Sequence, residues 1–172
     1  MKLTDIFNNK TLKQKAKTQM LSELVGNKEV SIDALIAFAK KADDTTKATC
    51  IESLEFVTKQ NSSIATEKCL QFVTQTLKSE APRVKWESAK VVGNIACLFP
   101  AKLDNAIKNL LTNTEYDGTV VRWAAAFALS EILKLKTKYN KDLLPAIETI
   151  CKNEKDNAIK KKYLDAIKKI NK

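Results

Sequence analysis

Histidine is absent from the 172-residue chain, and Gly and Pro are scarce, with three of each. The lack of His removes the commonest general acid–base group, which argues against an enzyme. Few Gly and Pro residues indicate long helices joined by short turns. No run approaches the roughly 20 apolar residues of a membrane span, and the start MKLTDIFNNK lacks the apolar core of a signal peptide. We therefore expect a cytoplasmic, α-helical protein with no membrane segment.

Cysteine and arginine are also sparse. The four Cys residues show no Cys-x-x-Cys spacing, so the sequence implies no metal and no cofactor, and buried thiols in a reducing compartment are expected. Only Arg83 and Arg122 carry guanidinium groups. Of the net charge of +10, +7 falls in residues 134–172, which hold 12 Lys against 5 acidic residues. Lys-rich surfaces indicate nucleic-acid binding more weakly than clustered Arg does.

A pattern of apolar residues recurs four times, each time around a basic residue. The clearest copy surrounds Arg122, where apolar residues share one helix face at offsets of −1, +3, +6, +7 and +10: Val121, Ala125, Ala128, Leu129 and Ile132. The basic residues of the copies lie 38, 37 and 38 residues apart: Lys47, Lys85, Arg122 and Lys160. A second amphipathic helix precedes each copy, so the sequence predicts a solenoid of helix pairs, called here helix A and helix B.

The segments VVRWAAAFALSEI (120–132) and RVKWESAKVVGNI (83–95) resemble the second helix of HEAT repeats, and DLLPAIETI (142–150) resembles the first. This resemblance implies an all-α, right-handed α-solenoid of about four HEAT-like helix pairs plus an N-terminal capping helix. One domain would cover residues 1–172, with the capping helix at 10–25 and repeats at about 31–59, 63–98, 101–136 and 141–171.

Local signals place several of the helix ends. Ser31, Asp43–Asp44 and Asp156 stand where helices should start, since their side chains accept bonds from free backbone N–H groups. Pro82 suits the first turn of a helix, and Pro145 would fall in the first turn after Asp142. Residues 1–9 are expected to be a lead-in to the capping helix.

The second helices of HEAT repeats line the concave side of the superhelix, so the resemblance directs attention to their outer positions. We expect offsets of +1, +5 and +8 from the basic residue to point away from the core. The only two Trp residues both occupy +1, at Trp86 and Trp123, and Phe127 lies one turn from Trp123. The +8 row reads Glu55, Gly93, Ser130 and Lys168. The rings form either an exposed contact site or part of the seam between repeats.

The recurring basic residues also have two interpretations. In HEAT repeats this residue commonly ties turns together, which the resemblance extends to Lys47, Lys85, Arg122 and Lys160. The alternative is a positive ladder for an acidic partner or a phosphate backbone, whose binding would weaken steeply with salt.

The sequence favours a non-catalytic scaffold that binds a protein or peptide partner on its concave face, as a monomer. The candidate partner-binding residues are Trp86, Trp123, Phe127, Lys90, Lys85 and Arg122. The alternative is a nucleic-acid-binding protein distantly like the HEAT-like alkylpurine DNA glycosylases, with which the chain shares fold type, basic charge and paired Trp residues.

Overall fold

The computed structural model describes residues 3–172, and within them the regular structure is entirely helical. Ten α-helices follow one another: α1 Leu3–Asn8, α2 Gln14–Gly26, α3 Ile32–Lys40, α4 Asp44–Gln60, α5 Glu67–Thr76, α6 Pro82–Ile95, α7 Asp104–Asn113, α8 Thr119–Lys134, α9 Asn140–Asn153 and α10 Asn157–Ile170. Single 3₁₀ turns lie at Ser62–Ile64 and Ala96–Leu98. Across these described helices, none is both long enough and apolar enough to cross a membrane.

Short polar side chains fix several of the helix starts. Ser31 accepts a bond from the backbone N–H of Ala34, and Asp43 accepts one from Thr46. Asp156 accepts two such bonds at the start of α10. Pro82 opens α6, where its missing N–H costs nothing because the first helical N–H groups have no intrahelical partner.

The helices form two layers that continue along the chain. Each odd-numbered helix packs against the even-numbered helix that follows it, and the even-numbered helices pack side by side from α2 to α10. Their apolar faces form one continuous core. The even-numbered helices thus correspond to helix B, and they build the layer on which the predicted contact residues lie.

Side-chain amides join successive repeats to one another. The Nδ2 group of Asn94 donates to the carbonyl of Glu55 at 3.2 Å, and that of Asn109 donates to the carbonyl of Thr74 at 2.9 Å. Buried Asn113 donates to the carbonyl of Leu77 at 3.1 Å. The bonds to Thr74 and Leu77 satisfy backbone oxygens at the end of α5, and all three bonds fix the register in which one repeat stacks on the next.

The N-terminal region departs from the prediction. Helix α1 occupies most of the expected lead-in, although residues 1 and 2 lie outside the described part of the chain. Ile6 is buried, and the ring of Phe7 stacks on Phe38 with centroids 5.3 Å apart. The following helix starts at Gln14 rather than at residue 10, because the Asn9 side chain accepts the N–H of Thr11 at 2.9 Å and holds a turn there.

Helix α9 also starts earlier than predicted. It begins at Asn140, because the carbonyl of Tyr139 accepts the N–H groups of Asp142 and Leu143. Pro145 therefore lies inside the helix, beyond its first turn, and the expectation for Pro145 is wrong. Proline has no backbone N–H to bond the carbonyl one turn earlier. Helix α9 therefore lacks one of its backbone hydrogen bonds at its sixth residue.

Candidate functional site

Trp86 and Trp123 lie on neighbouring B helices, α6 and α8. Both rings are half-buried and pack against the core while keeping part of their surface open. Each ring therefore lies partly in the seam between repeats and partly at the surface. The charged groups around the two rings differ.

Trp123 and Phe127 form a stacked pair on α8. Their ring centroids are 6.1 Å apart with an interplanar angle of 8°. A Cβ built on Gly93 would stand only 2.5 Å from the Phe127 ring, so the ring lies directly over the α6 backbone at Gly93. The absence of a side chain at Gly93 gives the Phe127 ring its position, and the ring in turn supports Trp123.

Lys162 of α10 completes this arrangement. Its ammonium lies 4.9 Å from the Trp123 centroid and 5.7 Å from the Phe127 centroid, within the range of a cation–π interaction. Within residues 3–172 no carboxylate pairs with Lys162. We call Trp123, Phe127 and Lys162 the aromatic–lysine patch. Sequence reasoning missed Lys162, because the run Lys160–Lys162 resembles an ordinary solvated face.

The ammonium of Lys90, near Trp86, is paired with carboxylates of its own protein. The indole N–H of Trp86 donates to Glu87 at 2.8 Å, and the ammonium of Lys90 lies 2.9 Å from the other oxygen of that carboxylate. Lys90 also lies 3.9 Å from Glu55. Burial raises the pKa of Glu87, because desolvation of the carboxylate outweighs the hydrogen bonds and the charge of Lys90. Lys90 therefore forms ion pairs at the contact between α4 and α6, and these pairs compensate its charge.

Lys85 and Arg122 hold turns together. The ammonium of Lys85 donates to the carbonyl of Leu77 at 3.3 Å and to the side chain of Asn113 at 3.2 Å. The Arg122 guanidinium bonds the Glu154 carboxylate, and its Nη1 donates to the carbonyls of Tyr116 and Asp117 at 3.0 and 2.8 Å. These contacts favour the structural interpretation of both residues and leave few donors for a phosphate.

Glu154 is the carboxylate partner of Arg122 and is almost fully buried. Burial alone would raise its pKa, but hydrogen bonds from the N–H of Asp156 and from Arg122 outweigh that effect and hold the pKa of Glu154 below its usual range. The pair connects α8 to the turn between α9 and α10, so its role is to fix the stacking of the last repeat.

The +8 row does not point outward as expected. Glu55, Gly93 and Ser130 are buried, and the Ser130 hydroxyl donates to the carbonyl of Lys162 at 3.3 Å. The B helices pack so closely side by side that this row lies between them. Only Lys168, on the last helix, is exposed.

A small pocket adjoins the aromatic–lysine patch. It has a volume of about 270 Å³ and is lined by residues of α8 and of the start of α10: Thr119, Val120, Trp123, Asp156, Ala158 and Ile159. Val120 is 52% exposed. We call this cavity the Val120 pocket. It shares the Trp123 ring with the patch.

A wider groove, of about 950 Å³, runs between α2 and α4. Phe56 is 48% exposed in its wall. At one end Arg83 pairs with Glu52 at 2.7 Å, and the hydroxyl of Thr18 donates to the same carboxylate oxygen at 2.8 Å. Sequence reasoning did not single out Phe56, which occupies offset +9, one position beyond the last of the rows expected to point outward.

Comparison with solved structures supports the same architecture. Two engineered proteins are similar to this chain. The first has a TM-score of 0.77 at 16% identity, and the match covers 98% of this chain and 77% of the engineered one. The second has a TM-score of 0.76 at 16% identity, and the match covers 99% of this chain and 47% of the engineered one. A designed armadillo repeat protein, YIII(Dq)4CqI, has a TM-score of 0.71 at 11% identity and covers 98% and 81%. At such identities the likeness describes the fold alone.

No curated protein matches the sequence. The sequence profile of HEAT repeats matches residues 32–130, which is more than half of the chain. This matched segment runs from the start of α3 into α8 and includes both Trp residues. The helical layers, the repeat spacing and this match lead to one conclusion: the chain belongs to the HEAT repeat family.

Proposed function

We propose that the protein is a non-catalytic scaffold that binds a protein or peptide partner on its layer of B helices. The observation that carries this proposal is the partly exposed, stacked pair of Trp123 and Phe127. Aromatic side chains held rigid by their own protein lose little conformational entropy on binding, and Trp and Tyr are enriched among residues that dominate binding energy. Trp86, one repeat away, would extend the contact.

The environment of the thiols supports a reducing compartment such as the cytoplasm. The four cysteines are free; Cys50, Cys69 and Cys151 are buried as expected, whereas Cys97 is exposed. Burial raises the pKa of Cys50 to about 12, which keeps it a thiol and removes its nucleophilicity. The three buried thiols are core side chains in this proposal.

The nucleic-acid alternative loses support from the placement of its proposed contacts. A ladder for phosphates needs cations whose donors are free, whereas Lys85 and Arg122 bond backbone and side-chain oxygens of their own protein. Lys90 is likewise paired with Glu87.

The test is selection of short peptides from a random library on immobilised protein. We expect the wild type to enrich peptides that the variant Trp123→Ala/Phe127→Ala does not retain, while circular dichroism shows that the variant stays helical. Phe56→Ala is the matched control, because it removes an exposed ring from the same layer at a distance from the pair. Peptides that depend on Phe56 and not on Trp123 would move the binding site to the α2–α4 groove.

Labelled duplex DNA and single-stranded RNA serve as competing probes in the same assay. We expect weak binding that the double variant does not change. Tight binding that falls steeply with salt and tolerates the loss of both rings would contradict the scaffold proposal and favour the nucleic-acid alternative.

A further inference from the structure

The charge around the two Trp residues is distributed unequally. Near Trp86, the Lys90 ammonium is compensated by Glu87 and Glu55. Near Trp123, Lys162 is held over two aromatic faces and has no carboxylate partner within the described chain. The aromatic–lysine patch therefore presents a net positive charge next to exposed ring surface, which the equivalent position one repeat earlier does not.

Cation–π contacts orient Lys162 without neutralising it. The ring quadrupoles attract the ammonium electrostatically, but aromatic rings carry no formal charge. An ammonium has three donors, so those not directed at the rings remain for an acceptor. Because the rings already restrict the side chain, a carboxylate that arrives from a partner meets a partly ordered cation and loses less entropy than at a free surface lysine.

The Val120 pocket supplies the second half of a recognition site. It borders Trp123 and is lined mainly by the apolar groups of Val120, Ala158 and Ile159. The Oδ1 atom of Asp156, in the pocket wall, accepts the N–H groups of both Ala158 and Ile159 at the start of α10. The apolar lining and the volume of about 270 Å³ suit this cavity to an apolar side chain.

Building on the proposed function, we propose that the partner is an acidic peptide segment that carries an apolar side chain beside an Asp or Glu. The apolar side chain fills the Val120 pocket, its neighbouring carboxylate pairs with Lys162, and the Trp123 ring lies between the two. The exposed lysines that follow on α10, including Lys168 and Lys169, extend the positive field around this point. Lys161 contributes less, because it pairs with Asp165 at 3.6 Å.

The test measures fluorescence anisotropy of three labelled peptide pools that share a central Leu. The residues next to this Leu are Asp or Glu in the first pool, Ser in the second and Lys in the third. We expect the wild type to bind the acidic pool about fivefold more tightly than the Ser pool, the ratio given by a charge pair of about 1 kcal/mol. Lys162→Glu should abolish this preference and favour the Lys pool.

Lys152→Glu is the matched control, since it makes the same charge change on an exposed residue of α9 outside the patch. It should preserve the preference for acidic peptides. If both variants lost the preference for acidic peptides equally, the effect would be one of general charge and the inference would be overturned. Equal binding of the acidic and Ser pools by the wild type would also overturn it.

The outcomes separate this inference from the proposed function. Binding of all pools with equal affinity, lost in Trp123→Ala/Phe127→Ala, would leave the scaffold proposal standing and remove the acidic partner. A wild type that binds none of the pools contradicts the acidic partner, while the random-library selection decides the scaffold proposal on its own.

Discussion

Gly93 is a single residue whose lack of a side chain positions the candidate site. Gly93→Ala should lower the free energy of unfolding by about 1 kcal/mol, because the overpacking against Phe127, at about 1–3 kcal/mol, exceeds the gain in helix propensity. It should also displace Phe127 and so raise the quenching of Trp fluorescence by acrylamide. Urea unfolding and fluorescence measure the two effects.

A double-mutant cycle tests whether the contact with Phe127 causes the loss of stability in Gly93→Ala. In a Phe127→Ala background, Gly93→Ala should become stabilising by about 0.5–1 kcal/mol, since the closest contacts of the added Cβ are gone and the gain in helix propensity remains. Gly26→Ala is a second control: Gly26 ends α2, a Cβ at this residue would have no atom within 4 Å, and the change should stabilise. Destabilisation by Gly93→Ala in both backgrounds would contradict the role assigned to the Phe127 ring.

Glu87 should make stability depend on pH. Its folded-state pKa is raised, so its contribution is complete below the ordinary Glu value of about 4.3 and is lost as pH rises through the raised value. Glu87→Gln keeps an acceptor for Trp86 and removes the titration. We expect the variant to gain stability relative to the wild type between about pH 4 and pH 7, measured by urea unfolding across that range.

Glu154 should behave in the opposite sense. Its pKa is lowered, so its stabilisation is present above about pH 4.3 and is lost as pH falls through the lowered value. Glu154→Gln should cost about 2 kcal/mol at neutral pH, because it weakens charged hydrogen bonds to Arg122, and this deficit should shrink below about pH 4.3. Parallel profiles for the two Gln variants would refute the assignment of opposite shifts.

At the scale of one helix, α9 lacks a backbone hydrogen bond because Pro145 lies inside it. Pro145→Ala should stabilise the protein by about 1 kcal/mol, because the restored N–H and relief of the ring clash outweigh the added freedom of the unfolded chain. Thermal melts measure the change. Pro82→Ala is the matched control at the first position of α6, where no hydrogen bond is regained and no stabilisation is expected. Equal effects of both changes would argue against the lost bond as the cause.

The periodic elements were predictable because the B helices α4, α6, α8 and α10 repeat one apolar pattern every 37 or 38 residues. The helix starts at Ser31, Asp43 and Asp156 were predictable because capping is local chemistry. Helix α1 was not, because its six residues are too short to display a 3.6-residue period, and it is held by contacts such as Phe7 with Phe38.

The candidate site was predictable only in part. Repeat register places Trp86 and Trp123 on neighbouring helices, but a sequence cannot show which lysine reaches a ring on another helix. Lys162 stands 39 residues from Trp123, and their contact depends on how α10 lies against α8. The burial of Glu55 and Glu87 likewise follows from the closeness of the B helices, which the single-helix pattern does not contain.

At the scale of the whole molecule, stability should vary along the solenoid. Leu21 in α2 and Leu129 in α8 are both fully buried, and truncation of either to Ala removes similar contacts, at about 2–5 kcal/mol. Leu129→Ala should lower the stability of several repeats together, because α8 packs on both sides. Leu21→Ala should release mainly α1 and α2.

Hydrogen exchange resolved by peptide distinguishes these outcomes. The expected pattern for Leu21→Ala is faster exchange confined to residues before α3, with α6 and α8 unchanged. Uniform acceleration along the whole chain in both variants would mean that the molecule unfolds as a single cooperative unit.

The hydrogen bonds that Asn side chains make between repeats have a consequence for synthesis of the protein. Among residues 3–172, the side-chain hydrogen bond that spans the greatest distance along the sequence joins Asn94 to Glu55, which are 39 positions apart. Hydrogen-bond partners of a helix are therefore translated within about one repeat of it. As each repeat leaves the ribosome, the surface it docks against has already been made, so the solenoid is suited to assemble in the order of its translation, without waiting for the C terminus.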